Sequence, residues 1–395
     1  MSDEECKEVG SPPHRNSEFT NRQVGESRLT DLIVMQEPLP FPLTVVELCT
    51  GGGGQALGLE MAGFECVGAV ENDAHACNTL RHNRPKWPVH HSDIQAVSGQ
   101  QFRGVDLLAA GVPCPPFSIA GKQLGAGDER DLFPEALRIV EESQPAGVML
   151  ENVAGFAAAK FSDYRATLFR KLDRLGYRAE WQMLNASDFG VPQLRPRFVL
   201  VALKPKFFRN FEWPLPTMPG GTVGTVLQDL MAENGWPGAL KWVSRANSIA
   251  PTIVGGSKKH GGPDLGPTRA REQWRRLGVD GLGIANAAPD SHFPVDGLPR
   301  LTAQMVARLQ SFPDEWQFSG KKTAAYRQVG NAFPPLVAKA VGMSILGALR
   351  GFRSQAAVAK SLRLFETPPE WSKQSLPKEG MKVRHGSVGS YAQRS

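Results

Sequence analysis

The sequence predicts an α/β protein whose larger part is a doubly wound, mostly parallel β-sheet. Short apolar or β-branched runs at residues 44–49, 64–70, 105–111 and 147–153 indicate buried strands, and stretches of helical character separate them. This alternation is typical of a parallel sheet with helices on both faces. From about residue 204 the chain becomes loop-rich, with many Gly and Pro residues, which predicts a second, smaller and irregular domain.

The elements of the larger domain follow one another in a regular order. The strand TVVELC precedes a glycine loop and a helix at 55–62, which Gly63 is placed to end. A helix is expected near 132–142, between the strands VDLLAAG and GVMLENV. The run SDYRATLFRKLDRLGY predicts another helix, and the strands YRAEWQML and RFVLVAL come later. After residue 334, PPLVAKAVGMSILGAL predicts a final helix that starts with proline.

These signals divide the chain into four parts. We expect a larger domain formed by residues 41–203 together with 320–352, and a smaller domain formed by 204–319. Residues 1–40 are polar and rich in Ser, Glu, Arg and Pro, which predicts disorder. Residues 353–395 are polar and basic, which predicts a loose tail.

The composition restricts the class of protein. A net charge of +6 and a pI near 9.1 favour a polyanionic partner. The five cysteines are odd in number and contain no CxxC pair, so a zinc ribbon, an iron–sulfur cluster and a disulfide framework are not expected. No apolar stretch is expected to reach the roughly 20 residues that span a bilayer. The sequence therefore predicts a cytoplasmic protein with no metal centre and no membrane partner.

The stretch VVELCTGGGGQALGLE combines a strand, a glycine loop and the start of a helix. Glycines allow a tight turn and the close approach of a ligand, and a helix N-terminus accepts polar groups. Glu71 ends the next strand, where a carboxylate can bind both ribose hydroxyls, and Asp93 could accept from an adenine amino group. Together they predict an adenosine-containing cofactor. A structural glycine turn with surface carboxylates is the alternative, and the loop alone does not separate nicotinamide cofactors from S-adenosylmethionine.

The stretch GVPCPPFS places Cys114 between prolines, just after a buried strand. The thiolate is the reactive form of cysteine, so a nucleophilic Cys needs a fixed and partly exposed position. Prolines on both sides stiffen the loop and remove backbone donors. The pattern favours a nucleophile, and a buried structural cysteine is the alternative.

Three further motifs carry polar residues toward the same region. The segment ENV, from Glu151 to Val153, ends the strand GVMLENV, and parallel strands share one carboxyl edge, so Cys114 and Glu151 are expected to face one crevice. In QLRPRF, Arg195 and Arg197 are two residues apart and are expected on one face, where they could bind a carbonyl oxygen or phosphates. A solvated Glu and an edge-strand ion pair are the alternatives. Asn331, in VGNAFPP, is a candidate ligand residue or a simple helix cap.

In this order, PCPPFS, ENV, QLRPR and GNAFPP resemble the motifs of the DNA (cytosine-5)-methyltransferase family, and the likeness runs from about Thr44 to Gly342. The resemblance implies two lobes with a DNA cleft between them. The larger domain would be a catalytic and cofactor-binding domain of the S-adenosylmethionine-dependent methyltransferase type. The smaller domain would be the target-recognition domain.

The resemblance also implies a reaction and a role for each motif. Cys114 would attack carbon 6 of a cytosine flipped out of the duplex, and carbon 5 would take the methyl group of S-adenosylmethionine. Glu151 would hold and protonate ring nitrogen 3, and Arg197 would contact the base carbonyl with Arg195 nearby. The implied cofactor pocket consists of Cys49, Gly51, Gly53, Glu71, Asn72, Asp93, Ile94, Leu132 and Asn331.

DNA contacts are expected from two places. Ser118 lies where the family's loop closes over DNA, and Gln193 belongs to the QLRPR motif. In APTIVGGSKKHGGPDLG the glycines allow close approach, while Lys258, Lys259 and His260 offer donors to bases and phosphates. A flexible surface loop is the alternative for this last segment.

Two positions depart from the family's pattern. Cys49 stands where the family usually has a Phe that stacks on the adenine, so the adenine contacts are expected to differ here. Pro115 stands where the family often has Gln, and it is a variant that also occurs in the family.

The expected partner is double-stranded DNA. The compact layout favours a bacterial restriction–modification enzyme that acts as a monomer, associated with the nucleoid, alongside a cognate restriction endonuclease. An RNA cytosine-5 methyltransferase on the same scaffold and a catalytically inactive DNA-binding relative are the alternatives. A nicotinamide oxidoreductase would leave PCPPFS and ENV unexplained.

Overall fold

The computed structural model describes residues 42–113, 131–217, 219–255 and 264–351. Within them, seven strands form one sheet: β1 Leu43–Leu48, β2 Phe64–Glu71, β3 Val89–His91, β4 Leu107–Ala110, β5 Gly147–Val153, β6 Arg178–Asn185 and β7 Pro196–Leu203. Their spatial order is β3-β2-β1-β4-β5-β7-β6. Strands β1 to β5 pair in parallel, whereas β7 is antiparallel to both β5 and β6. The predicted α/β class with a mostly parallel sheet is confirmed.

Helices cover both faces of this sheet in the described part of the chain. They are α1 Gly54–Met61, α2 Ala74–Asn83, α3 Phe133–Ser143, α4 Ser162–Arg174, α5 Pro205–Phe208, α6 Val223–Ala232, α7 Ala239–Arg245, α8 Thr268–Arg276, α9 Ala303–Leu309, α10 Lys322–Asn331 and α11 Pro335–Leu349. Successive side chains of a strand point to opposite faces, so Val45 joins a core with α1 and α11 while Val46 joins a second core with α3 and α4.

The central strands are buried on both sides, as a parallel sheet between helix layers requires. All four residues of β4 are buried, whereas β6, at the sheet edge, buries only Leu184 fully. The final helix α11 returns to the sheet and packs on α1. A Cβ on Gly58 would lie 2.3 Å from the Pro335 carbonyl oxygen, so glycine permits this close approach.

The segment 204–319 is more helical than the sequence predicts. It contains α5 to α9, which are 4 to 10 residues long. Helices this short, separated by Gly and Pro, give too few turns for a clear apolar period. The hydroxyls of Thr222 and Thr302 cap α6 and α9. Buried Trp242 and Trp274 place α7 and α8 on the core that contains α1 and α11.

One apolar stretch contradicts the expectation from the sequence. Residues Lys322–Leu349, which include α10 and α11, have the length and hydropathy of a membrane span. However, 78% of the most apolar part of this stretch is buried inside the protein, so these two helices serve as core helices.

Candidate active site

Four parallel strands, β1, β2, β4 and β5, end together at one edge of the sheet. The residues that stand at or just after these strand ends, in spatial order, are Glu71, Cys49, Gly111 and Glu151. Cys114 follows Gly111 by three positions, and both Cys114 and Ser118 lie outside the described residues. The strand order therefore brings Glu71 and Glu151 to the two ends of one polar rim.

Glu71 holds the glycine loop in place. Its Oε2 accepts from the Gly51 amide at 2.7 Å, and its Oε1 accepts from the amides of Asn72 and Asp73 at 2.9 and 2.8 Å. Gly51 and Gly53 have φ values of 57° and 89°, a conformation that glycine adopts without strain. The carboxylate thus fixes the turn that a ligand would approach.

Cys49 has an unusual backbone, with φ of 56° although it is not glycine. Such a conformation costs on the order of 1–3 kcal/mol and is often kept at functional sites. Burial, followed by the nearby Glu71 charge, raises the pKa of the Cys49 thiol, so the thiol stays protonated at neutral pH. Cys49 therefore packs as a small half-buried group and has no nucleophilic character.

The other predicted cofactor residues surround this loop. Asn72 and Asp93 are exposed, and the Asp93 carboxylate accepts from the Gln95 amide at 2.9 Å. Ile94 is buried and Leu132 is partly buried, and both pack in the core with α3.

Glu151 and Arg197 form a buried ion pair. Arg197 Nε lies 2.8 Å from Glu151 Oε1, and each side chain is only 10% exposed. The antiparallel register of β5 and β7 places Val153 opposite Arg197, so the pair joins adjacent strands. Burial raises the pKa of the Glu151 carboxyl, and the charges of Arg197 and then Arg195 oppose the shift. The carboxyl group can therefore carry a proton at a higher pH than an exposed glutamate.

Arg195 does not point to the rim with Arg197. Strand β7 begins at Pro196, so the alternation expected of a strand does not extend to Arg195. Its guanidinium is 1% exposed and donates to the carbonyls of Ile253, Gly330 and Ala332 at 2.5, 2.8 and 2.9 Å. This placement favours a supporting role for Arg195 over direct contact with a substrate.

The side chain of Gln193 is also engaged in hydrogen bonds within the protein. It is fully buried, and its amide nitrogen donates to Gln310 Oε1 at 2.9 Å while its Oε1 accepts from the Ile253 amide at 2.9 Å. These bonds argue against the predicted direct contact with DNA. The other predicted DNA contacts, Lys258, Lys259 and His260, lie outside the described residues.

Asn331 does not cap a helix, which removes the alternative considered for it. It ends α10, and Pro334 occupies the N-cap of α11. Asn331 is exposed, and a Cβ on Gly255 would lie 2.6 Å from its Oδ1, so its side chain rests against Gly255.

Sequence reasoning missed two buried polar residues beneath the rim. Glu47 on β1 is 1% exposed, and its Oε2 has no hydrogen-bond partner among the described residues. Burial, then the Glu71 charge, raises the pKa of Glu47 well above its usual range. Gln55 on α1 is 3% exposed, and within the described ranges neither amide atom has a partner. The signal was present, since a glutamate inside an apolar strand and a glutamine facing the core are costly to bury.

No group of three or more possible metal-binding His, Cys, Asp or Glu side chains occurs in the part of the chain that the structure describes.

Comparisons with known proteins agree with this architecture. The model of the family described as C-5 cytosine-specific DNA methylase matches residues 43–347. The Type II methyltransferase M.NaeI of Lentzea aerocolonigenes is 56% identical over 311 residues, covering 78% of this chain and 75% of the relative. M.NgoMIV of Neisseria gonorrhoeae is 50% identical over 311 residues, covering 78% and 98%. The solved structure of the Entamoeba histolytica methyltransferase EhMeth has a TM-score of 0.55 at 14% identity, covering 79% and 98%, which shows a shared fold.

Proposed function

Because the chain belongs to the C-5 cytosine-specific DNA methylase family, we propose that its methyl transfer from S-adenosylmethionine to carbon 5 of cytosine in DNA proceeds through a covalent Cys114 adduct. The observation that carries this proposal is the buried pair of Glu151 and Arg197, at the edge of the sheet where β4 ends four positions before Cys114 in the sequence. Protonation of a flipped base needs an oriented carboxyl group whose pKa is raised. Arg197 orients the Glu151 carboxyl group, and burial raises its pKa.

The chemistry follows from the weak reactivity of cytosine. Carbon 5 is a poor nucleophile, and addition at carbon 6 divides one hard step into two easier ones. The Cys114 thiolate forms the Sγ–C6 bond while ring nitrogen 3 takes the Glu151 proton, which makes carbon 5 electron-rich. S-adenosylmethionine, when bound, supplies the electrophilic methyl group. Loss of the carbon 5 proton to water restores the C5–C6 double bond, expels Cys114 as thiolate and returns the nitrogen 3 proton to Glu151.

Glu151 and Arg197 divide the recognition of the base between them. Arg197 occupies Oε1 of Glu151, which leaves Oε2 for ring nitrogen 3. Nη1 of Arg197 donates to the Pro196 carbonyl at 2.9 Å, so we assign the base carbonyl to Nη2. Arg195 has a supporting role in this proposal, because its guanidinium donates hydrogen bonds to main-chain carbonyls.

The residues at the rim fit a nucleoside cofactor with a cationic amino-acid end. Glu47 and Gln55 offer buried polar atoms that lack protein partners in the described residues, and a polar group of the cofactor could satisfy them. We assign the ribose hydroxyls to Glu71 and the adenine amino group to Asp93. The proposed pocket is completed by Cys49, Gly51, Gly53, Asn72, Ile94, Leu132 and Asn331.

The division of labour between the two parts of the chain is also a proposal. We assign catalysis and cofactor binding to residues 41–203 with 320–352, and DNA reading to residues 204–319. The exposed basic side chains of Arg245, Arg269 and Arg275 in α7 and α8 support contact of the second part with phosphates.

The experiment that tests the proposal maps methylation directly. Unmethylated duplex DNA of diverse sequence is incubated with the protein and S-adenosylmethionine, then sequenced after bisulfite conversion. We expect protected cytosines in one short recurring context, and none with Cys114→Ser. Protection that persists in Cys114→Ser would overturn the covalent route, and absence of protection with wild type would favour an RNA substrate or a binding-only protein.

Lys258→Ala is expected to weaken binding to all DNA sequences, because we assign Lys258 to a phosphate. The slope of log affinity against log salt should fall by about 1. Fluorescence anisotropy with target and non-target duplexes at several salt concentrations measures both effects. Unchanged affinity and an unchanged slope would remove Lys258 from the interface.

Finer statements on partners and location are part of the same proposal. The likeness to two Type II methyltransferases supports a cognate restriction endonuclease acting on the same DNA sequence. A monomer suffices when each strand is modified in a separate event. We place the enzyme in the bacterial cytoplasm, at the nucleoid where its DNA substrate lies.

A further inference from the structure

The hydroxyl of Tyr326 joins two parts of the chain that are ten positions apart in the sequence. Tyr326 belongs to α10, and its side chain is fully buried. Its hydroxyl oxygen lies 2.7 Å from the Asp264 carbonyl oxygen and 3.0 Å from the Val254 carbonyl oxygen. A hydroxyl carries a single proton, so it donates to the two carbonyls in turn or shares the proton between them. One side chain of α10 thus holds Val254 and Asp264 at a fixed spacing.

The backbone next to Val254 also rests directly on α10. A Cβ built on Gly330 would lie 2.4 Å from the Gly255 Cα and 2.5 Å from its nitrogen, closer than real Cβ atoms come. Gly330 therefore has no side chain where the two backbones touch. The Arg195 guanidinium ties the same two segments together, because it donates to the carbonyls of Ile253 and Gly330. This end of the connection is held to α10 at several points.

The Asp264 end is anchored differently. Leu265 is fully buried, and its amide donates to the Gly281 carbonyl at 3.0 Å. Within the described ranges, the bond from the Tyr326 hydroxyl is the hydrogen bond that connects Asp264 to α10. Loss of the hydroxyl should therefore loosen the spacing between the two ends, while the buried Leu265 keeps this part of the chain in place.

The spacing of these two ends matters for DNA because of what the sequence carries between them. Residues 256–263 connect the two ends and lie outside the described residues. They include Lys258, Lys259 and His260, to which we assigned contacts with DNA. Base edges are read by groups that must be held to within about 0.5 Å of the productive geometry. The fixed ends restrict where the residues between them can lie.

We propose that Tyr326 is a positioning residue for DNA recognition, whose hydroxyl fixes the spacing of Val254 and Asp264 and thereby the placement on DNA of the residues between them. This inference rests on the DNA contacts proposed above for that segment. The buried Tyr326 side chain acts through the segment and has no contact of its own with DNA or cofactor. A hydrogen bond that serves stability alone is the alternative that the test must separate.

The test compares two buried tyrosines that each lose only a hydroxyl. Tyr177→Phe is the matched control for Tyr326→Phe, because the buried Tyr177 hydroxyl donates to the Pro145 carbonyl at 2.7 Å, just before β5 begins and at the sheet edge opposite the rim. Both variants should lower the midpoint of urea unfolding. Only Tyr326→Phe should weaken binding to the target duplex, by about 10-fold, while non-target binding stays within about 3-fold of wild type. The affinity for S-adenosylmethionine should not change in either variant.

A double-mutant cycle with Lys258→Ala shows whether Tyr326 acts through the segment. Lys258→Ala should weaken target binding less in the Tyr326→Phe protein than in wild type. Full additivity of the two losses would overturn the proposal, as would unchanged target affinity in Tyr326→Phe or an equal loss in Tyr177→Phe. If Lys258→Ala alone has no effect, the phosphate assignment of Lys258 fails, and the ratio of target to non-target affinity in Tyr326→Phe then decides: a fall in this ratio supports the positioning role, and an unchanged ratio overturns it.

Discussion

Glu151→Gln is expected to lower the rate of methyl transfer by about 10²–10⁴-fold, the usual contribution of a positioned acid. Glutamine has nearly the same shape and still accepts from Arg197 Nε through its amide oxygen, so the buried pair in β5 and β7 keeps a hydrogen bond. It cannot deliver a proton to ring nitrogen 3. Single-turnover rates at saturating cofactor and DNA measure the chemical step, and DNA affinity should change little. A rate within a few-fold of wild type would exclude Glu151 as the proton donor.

Arg197→Met separates the acid role of Glu151 from a simple packing role. Burial raises the pKa of the Glu151 carboxyl, and the Arg197 charge is the largest effect that opposes it. Removing that charge should raise the pKa of the Glu151 carboxyl further, because a close positive charge favours the ionised form. Glu151 acts in its protonated form, so the decline of the rate at high pH should move to still higher pH. Arg170→Met, at an exposed position of α4, is the control, and an unmoved decline in Arg197→Met would contradict the assignment.

The fold was predictable because its strands carry strong local signals. The expected strand GVMLENV is β5, residue for residue, β4 lies within its expected run, and β1 and β2 match their runs to within one residue at each end. Parallel strands end at one edge, so the sequence also supports the expectation that Cys114 and Glu151 face one crevice, and Cys114 itself lies outside the described residues. The helices α6 to α8 could not be predicted, since each is too short to show a clear period, and the burial of Trp242 in α7 and Trp274 in α8 depends on residues far along the chain.

The candidate site was likewise predictable from the sequence only in part. The family resemblance implies that Glu151 and Arg197 contact the same base, and the two side chains do lie together in an ion pair. It does not show that Arg195 turns inward, because its partners Ile253 and Gly330 are 58 and 135 positions away. The missing partners of Gln55 are likewise invisible in sequence, since they depend on how α1 sits against the end of β4. The type of most strands and helices could be predicted from the sequence, whereas the polar contacts between residues far apart in the chain could not.

Arg195→Met is expected to reduce the free energy of unfolding by about 3 kcal/mol or more. The substitution removes the donors to the Ile253, Gly330 and Ala332 carbonyls, and each buried polar group left unsatisfied costs about 1–3 kcal/mol. Urea unfolding followed by tryptophan fluorescence measures the change, seen as a lower midpoint at an unchanged slope. Arg170→Met, which removes an exposed guanidinium, should stay within about 0.5 kcal/mol of wild type.

Arg195→Lys sharpens the distinction between charge and geometry. Lysine keeps the positive charge near Glu151 but presents one compact ammonium in place of a planar fork. Because the Arg195 guanidinium uses two nitrogens to reach carbonyls on two separate segments, lysine should recover less than half of the lost stability. Full recovery of stability by lysine would show that the charge, and not the bridging geometry, is what the fold requires.

The two segments that Arg195 joins explain why its loss should also affect function. Ile253 precedes the glycine-rich segment assigned to DNA, and Gly330 and Ala332 flank Asn331, assigned to the cofactor. In Arg195→Met assayed at low temperature, where the protein stays folded, we expect KM for both substrates to rise more than kcat falls. If instead stability and KM are unchanged while kcat falls as far as in Glu151→Gln, then Arg195 contacts the reacting base, and its inward hydrogen bonds must rearrange when DNA binds.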